Sequence, residues 1–128
     1  MSLVTPLSRV LGLGSARDGT AHWWGQRLSA IALTVLGLWL VIAVAGFEAL
    51  DYASVAGWVQ QPLTSVLLAL TVLTVCYHSQ LGVQMVVEDY VHATGLKIAT
   101  LIASKFIHVL LAAVGLIAVL KLAFGAPV

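Results

Sequence analysis

In a chain of 128 residues, 61% are hydrophobic and 9% charged, and the mean hydropathy is +1.06. A soluble domain carries about a quarter charged residues, so the composition places this chain in a bilayer. The net charge of +1 excludes nucleic acid as a partner, because that binding needs a basic patch. The single cysteine, Cys76, excludes an internal disulfide and any cysteine-built zinc or iron–sulfur site and reads as a small apolar filler.

Residues 1–25 read as a polar, Gly-containing N-terminal segment, with Pro6, Gly12, Gly14 and Gly19, at the cytoplasmic or interfacial surface. Within it Leu7–Leu13 suits one or two amphipathic turns on the membrane. The segment is neither a signal peptide nor a transit peptide. The first long apolar run begins only after Arg27, exceeds a signal h-region and meets no small-residue cleavage site, and the Arg- and Ser-rich character of a transit peptide is missing. A bacterial inner membrane is the expected address. His22-Trp23-Trp24-Gly25-Gln26-Arg27 then looks like an interfacial belt at the mouth of a membrane helix.

Residues 26–125 are predicted to form one all-α domain of three transmembrane helices, with spans of about 28–47, 63–87 and 104–124. Residues 48–61 are a short connection, and Pro62 suits the first turn of the second helix. The third helix could run from Gly95 to Phe124, longer than a membrane needs, so its first turns are expected to project into water or partner protein. Arg9, Arg17 and Arg27 precede the first span, the 48–61 connection has no Lys or Arg, and Lys97 and Lys105 follow the second span. Positive-inside counting therefore puts the N-terminus in the cytoplasm and sends Lys121 to snorkel on the far side.

Three helices bury little polar surface among themselves, so polar faces imply partners. The second helix carries Thr71, Thr74, His78, Gly82, Met85 and Asp89 at steps of three and four, a stripe where Gly82 would admit a planar ligand or another helix. Gln80 and Gln84 form a second line, expected to bond between helices. Ser104, His108, Ala112 and Gly115 share one face of the third helix and read as a packing seam. No repeat or broken-helix pair suggests a lone transporter.

Intramembrane ionisable groups default to functional hypotheses. His78 is either a neutral core histidine bonded to a neighbouring helix or an axial haem ligand. Eleven residues separate it from Asp89, which returns to nearly the same helix face about 16 Å along the axis. His108, one turn from Lys105, is the rival or second ligand, but its expected depth, nearer the surface, argues against a pair within this chain. His22 and His92 fall in surface segments and read as solvated or interfacial, and no HExxH-like spacing supports zinc. Asp89 and Tyr90 are either polar helix-end residues or, with Arg27 on the same rim, part of a quinone site. There the phenol would donate to a carbonyl oxygen, and Asp89 with Arg27 would orient it or relay protons.

The run His78-Ser79-Gln80-Leu81-Gly82-Val83-Gln84, followed by Glu88-Asp89-Tyr90-Val91-His92, resembles the second helix of the hydrophobic membrane-anchor family of succinate dehydrogenase, in its haem b-binding form, and Trp24-Gly25-Gln26-Arg27-Leu28-Ser29-Ala30 looks like the start of that family's first helix. The resemblance covers most of residues 20–125. It implies packing with a second three-helix anchor and, together with it, holding a flavoprotein and an iron–sulfur protein on the membrane lipid. It implies His78 as one axial ligand of haem b, the other coming from the second anchor, and Tyr90 as a hydrogen-bond partner of ubiquinone with Asp89 beside it. Arg27 would lie near the quinone site and the haem propionates. Such an anchor serves electron transport and the tricarboxylic acid cycle without succinate chemistry of its own, and is not catalytic alone. The family also contains anchors with no haem or with two. Alternatives are a fumarate reductase anchor, or a purely structural membrane protein with His78 as core glue. Roles for His22, His92, His108 and Lys105 stay open.

Overall fold

The structure, a computed structural model, describes residues 16–125. Four helices follow one another: α1 (Ala16–Ala45), α2 (Tyr52–Val59), α3 (Pro62–Tyr90) and α4 (Thr94–Ala123). Pro62 opens α3, where its missing N–H costs nothing. Asp51 caps α2 by accepting the Ser54 N–H at 2.8 Å, and Gly125, at φ 67°, takes the left-handed conformation just beyond α4. The Leu7–Leu13 segment lies outside the described residues.

Among the described residues three helices, α3, α4 and the Thr20–Ala45 part of α1, are long and apolar enough to cross a membrane. Taken whole, α1, α3 and α4, at 30, 29 and 30 residues, are each roughly 44 Å long, against a hydrocarbon core of about 30 Å. Helical conformation reaches back from the first apolar run through the paired tryptophans to Ala16, and the connection after it contains α2. The stacking of Trp58 on Trp39 (5.7 Å, 21°) and its edge contact with Phe47 (5.5 Å) fasten α2 across the end of α1.

The long helices form a single layer with α3 in the middle. It runs antiparallel to α1 on one side and to α4 on the other, and α1 and α4 nowhere approach within 8 Å, Cα to Cα. Small residues set the two seams. A Cβ on Gly115 would lie 2.7 Å from Val72 Cγ1, and one on Gly25 would lie 2.7 Å from the Tyr77 hydroxyl. Among the described residues the buried ones are few: Ser29, Ala56, Val59, Thr64, Leu81, Val87 and Ser104. The accessible surface is 9335 Å², where a soluble monomer of this mass exposes roughly 6,500 Å². The excess is apolar side chains such as Val41, Phe106 and Leu110. Among the described residues the layer has no core of its own.

Candidate functional site

The site grows from a polar stripe on α1. His22, Gln26 and Ser29 follow at steps of four and three, which puts them on one helix face, turned toward α3. Ser29 is buried, and its hydroxyl donates to the Gly25 carbonyl at 2.7 Å, with the Gln26 carbonyl 3.1 Å away. The same oxygen lies 2.9 Å from His78 Nδ1. A hydroxyl has one proton. With that proton on the α1 backbone, Ser29 can only accept from the imidazole. In the tautomer that matches this arrangement, the ring proton of His78 is on Nδ1 and Nε2 keeps its lone pair. Nε2 faces the Gln26 amide nitrogen at 3.4 Å. In that tautomer the amide nitrogen is the matching partner; in the other, the exchanged amide presents its oxygen to Nε2–H.

Gln26 is also part of the wall of a cavity of about 570 Å³ between the start of α1 and the end of α3. His22, Trp23, Gln26 and Arg27 line it from α1; Gln84, Met85 and Glu88 line it from α3. Two shielded polar atoms in this region have no partner, His22 Nε2 and Gln26 Oε1. Each such atom costs about 1–3 kcal/mol. Arg27 packs over the Trp23 ring at 5.5 Å, a cation–π contact. On α3, Gln80 donates to Gln84 (3.2 Å) and Gln84 to Glu88 (2.8 Å), a ladder that fixes the Glu88 carboxylate. Gly82 faces Gln26 with room to spare, 3.8 Å from a would-be Cβ to the amide nitrogen.

Asp89 and Tyr90 end α3 and lie outside that lining, Asp89 exposed and Tyr90 77% exposed. Arg27 therefore shares its cavity with Glu88 rather than with them. Around the rim, Lys97 donates to the Glu88 carbonyl at 2.8 Å and His92 Nδ1 to the Tyr90 carbonyl at 3.1 Å, fixing the turn between α3 and α4.

A second cleft, of about 310 Å³, lies between α3 and α4 and includes Tyr77, Gln80, Lys105 and His108. Here His108 Nε2 is 3.1 Å from the Ser79 hydroxyl. Because Ser79 adjoins His78, the two histidines stand at the same depth, which corrects the expectation that His108 lies nearer the surface. What separates them is direction: His78 turns to α1, whereas His108 bridges α4 to α3. Two other expectations change. Gln80 and Gln84 bond along α3 rather than between helices, since i and i+4 side chains are neighbours on one face. His22, expected in water or at the interface, has its Nε2 shielded in the α1–α3 cleft. His92 is exposed, and the seam of Ser104, His108 and Gly115 meets α3 as expected. Ser29, Gln26 and Glu88 do not stand out in the sequence as site residues. The i, i+4, i+7 spacing of His22, Gln26 and Ser29 is the signal that could have found two of them.

Three apolar helices of membrane-crossing length in a layer, with a polar cleft between two of them, define a multi-pass membrane protein. Residues 1–119 match the family described as succinate dehydrogenase/fumarate reductase transmembrane subunit, and the chain belongs to that family. It is 31% identical over 128 residues to the succinate dehydrogenase hydrophobic membrane anchor subunit of Paracoccus denitrificans, covering 100% of this chain and 98% of the relative. The protein of the same name from Rickettsia bellii is 34% identical over 97 residues, 76% of this chain and 78% of that one. The succinate dehydrogenase membrane anchor subunit of Reclinomonas americana is 25% identical over 104 residues, 73% and 80% of the two chains.

Proposed function

We propose that this chain is the hydrophobic membrane anchor of a bacterial succinate dehydrogenase in the inner membrane. In this reading His78 gives haem b one axial ligand and a companion three-helix anchor gives the other. Tyr90, Asp89 and Arg27 form this chain's share of a ubiquinone site, and the flavoprotein and iron–sulfur proteins dock on the cytoplasmic side. The family supports the assembly. The observation that carries the haem assignment is the placement of His78 Nδ1 2.9 Å from the buried Ser29 hydroxyl, which leaves Nε2, toward Gln26 in the wall of the α1–α3 cavity, as the ligating nitrogen.

The residues fit the group. A metal-binding imidazole needs one nitrogen unprotonated and the other donating to a second acceptor, and the Ser29 hydroxyl is placed to be that acceptor for Nδ1 when Nε2 ligates iron. The Gln26 amide beside Nε2 is the end of a flexible side chain and can swing aside. Arg27 and His22 supply a charge and a donor suited to carboxylates such as propionates. When bound, the haem supplies a one-electron redox centre inside the membrane.

The quinone assignment is supported by chemistry at the rim. The exposed Tyr90 phenol is free to donate to a quinone carbonyl oxygen, and the neighbouring Asp89 carboxylate can hold a proton or orient a donor. Succinate itself is oxidised elsewhere in the complex; this chain anchors, ligates and lines.

A reduced-minus-oxidised spectrum of the purified complex tests the reading. The wild-type complex should show a sharp haem α-band, and His78→Ala should abolish it while the two anchors, the flavoprotein and the iron–sulfur protein still co-purify. A band that survives His78→Ala would remove His78 as the ligand.

A further inference from the structure

We infer that Ser29 is a positioning residue that sets the basicity of His78 and, through it, the reduction potential of the haem. The inference rests on His78 being the ligand and goes beyond it in naming what tunes that ligand. Ser29 is buried at 6% relative exposure, so water cannot take its place. Its hydroxyl links the imidazole to the backbone of α1: with Nε2 on iron the ring proton is on Nδ1, the Ser29 Oγ 2.9 Å away is its acceptor, and Ser29 donates onward to Gly25 O at 2.7 Å. A hydroxyl that is itself donating is a better acceptor, because successive hydrogen bonds polarise one another.

A stronger pull on the Nδ1 proton leaves more electron density on Nε2, raises ligand basicity and favours ferric over ferrous iron. Ser29 therefore holds the potential down. His108 shows the contrast within the same chain. Its Nδ1 donates at 2.7 Å to the Ser104 carbonyl of its own helix, a partner that no side-chain substitution can delete. The Nδ1 acceptor of His78 comes from another helix and is a side chain, so a single substitution removes it. Gly25 belongs to the same device. Its carbonyl receives the Ser29 proton, and a Cβ there would strike the Tyr77 hydroxyl at 2.7 Å on the residue next to His78.

The test is a redox titration of the haem α-band in the purified complex carrying Ser29→Ala, Ser29→Thr or Ser29→Val. Thr and Val share one shape and differ in the hydroxyl. Ser29→Ala and Ser29→Val should raise the midpoint potential, seen as a several-fold higher ratio of reduced to oxidised haem at a fixed ambient potential. Ser29→Thr should titrate with the wild type. Haem retained by Thr and lost by Val also supports the hydroxyl's role. If Thr and Val behave alike, both unchanged, both shifted or both without haem, the hydroxyl does not tune His78 and the inference fails while the ligand assignment stands. If His78→Ala keeps the α-band in the same preparations, the ligand assignment itself has failed, and this inference with it.

Discussion

The imidazole of His108 is held from both sides: Nδ1 donates to the Ser104 carbonyl at 2.7 Å and Nε2 accepts the Ser79 hydroxyl at 3.1 Å. The acceptor-only carbonyl fixes the proton on Nδ1, and the lone pair left on Nε2 is then spent on α3. His108 therefore works as glue between α3 and α4. His108→Ala should keep the haem α-band and lower the stability of the detergent-solubilised complex by about 0.5–1.5 kcal/mol, the usual net contribution of a hydrogen bond whose partner, the exposed Ser79 hydroxyl, can turn elsewhere. Spectra and thermal inactivation measured on one preparation separate the two effects. An α-band lost from an otherwise assembled complex would transfer the ligand role to His108.

The α3–α4 seam depends on one missing side chain. A Cβ at Gly115 would meet Val72 Cγ1 at 2.7 Å, and a β-branched valine on a helix has little rotamer freedom with which to yield. Gly115→Ala should cost about 1–3 kcal/mol by overpacking, read as a lower Tm. Adding Val72→Ala should recover part of that loss. Gly25→Ala should cost less, because the atom in its way, the Tyr77 hydroxyl, is the free end of a half-exposed side chain. Equal Tm losses for the two glycine variants would contradict this account.

The layout of the helices was legible because each signal is local: apolar runs of membrane length and Pro62 at a helix start. The ring of His78 as a candidate ligand was legible for the same reason, as a costly group in an apolar run. The depth of His108 was not, because it depends on the antiparallel register of α3 and α4, which Gly115 and Val72 set across a span of forty-three residues. Nor was the choice between Glu88 and Asp89. The two are adjacent, about 100° apart on the helix, and only the position of α1 decides that Glu88 lines the cavity with Arg27. Ser29 escaped because a serine inside an apolar run is usually satisfied by its own helix. Ser29 does bond its own helix, and its hydroxyl lies 2.9 Å from His78 Nδ1 as well.

At the opposite end of the layer, Asp51 caps α2, and the Ser54 hydroxyl and backbone N–H hold its carboxyl below the ordinary 3.8. A lowered value in the folded state means that the cap's contribution is present above the ordinary carboxylate range and is lost as pH falls through the folded value, so it is constant near neutrality. Asp51→Ala should speed amide exchange at Ser54 and along α2 at pH 7 and loosen the Trp58–Trp39 stack, whereas Asp51→Ser, which can still cap, should not. Hydrogen exchange corrected for intrinsic rates reads the difference. Unchanged exchange in Asp51→Ala would mean that Trp58 alone holds α2.

Tyr90 offers the sharpest functional test because its side chain is 77% exposed and makes no hydrogen bond within the described residues. Removing its hydroxyl therefore disturbs no packing in this chain. Tyr90→Phe should lower quinone reduction roughly 10- to 100-fold in kcat/KM, the loss expected when one donor to a substrate oxygen goes and that oxygen is left unpaired. Succinate oxidation by a soluble dye should be unchanged, since electrons reach the dye without passing the rim. Asp89→Asn should give a smaller loss, because an amide can still orient a neighbour but cannot carry a proton. Parallel loss of dye and quinone activity in Tyr90→Phe would point to failed assembly. An unchanged quinone rate would take Tyr90 out of the site and leave the cavity of Arg27 and Glu88 as the place to look.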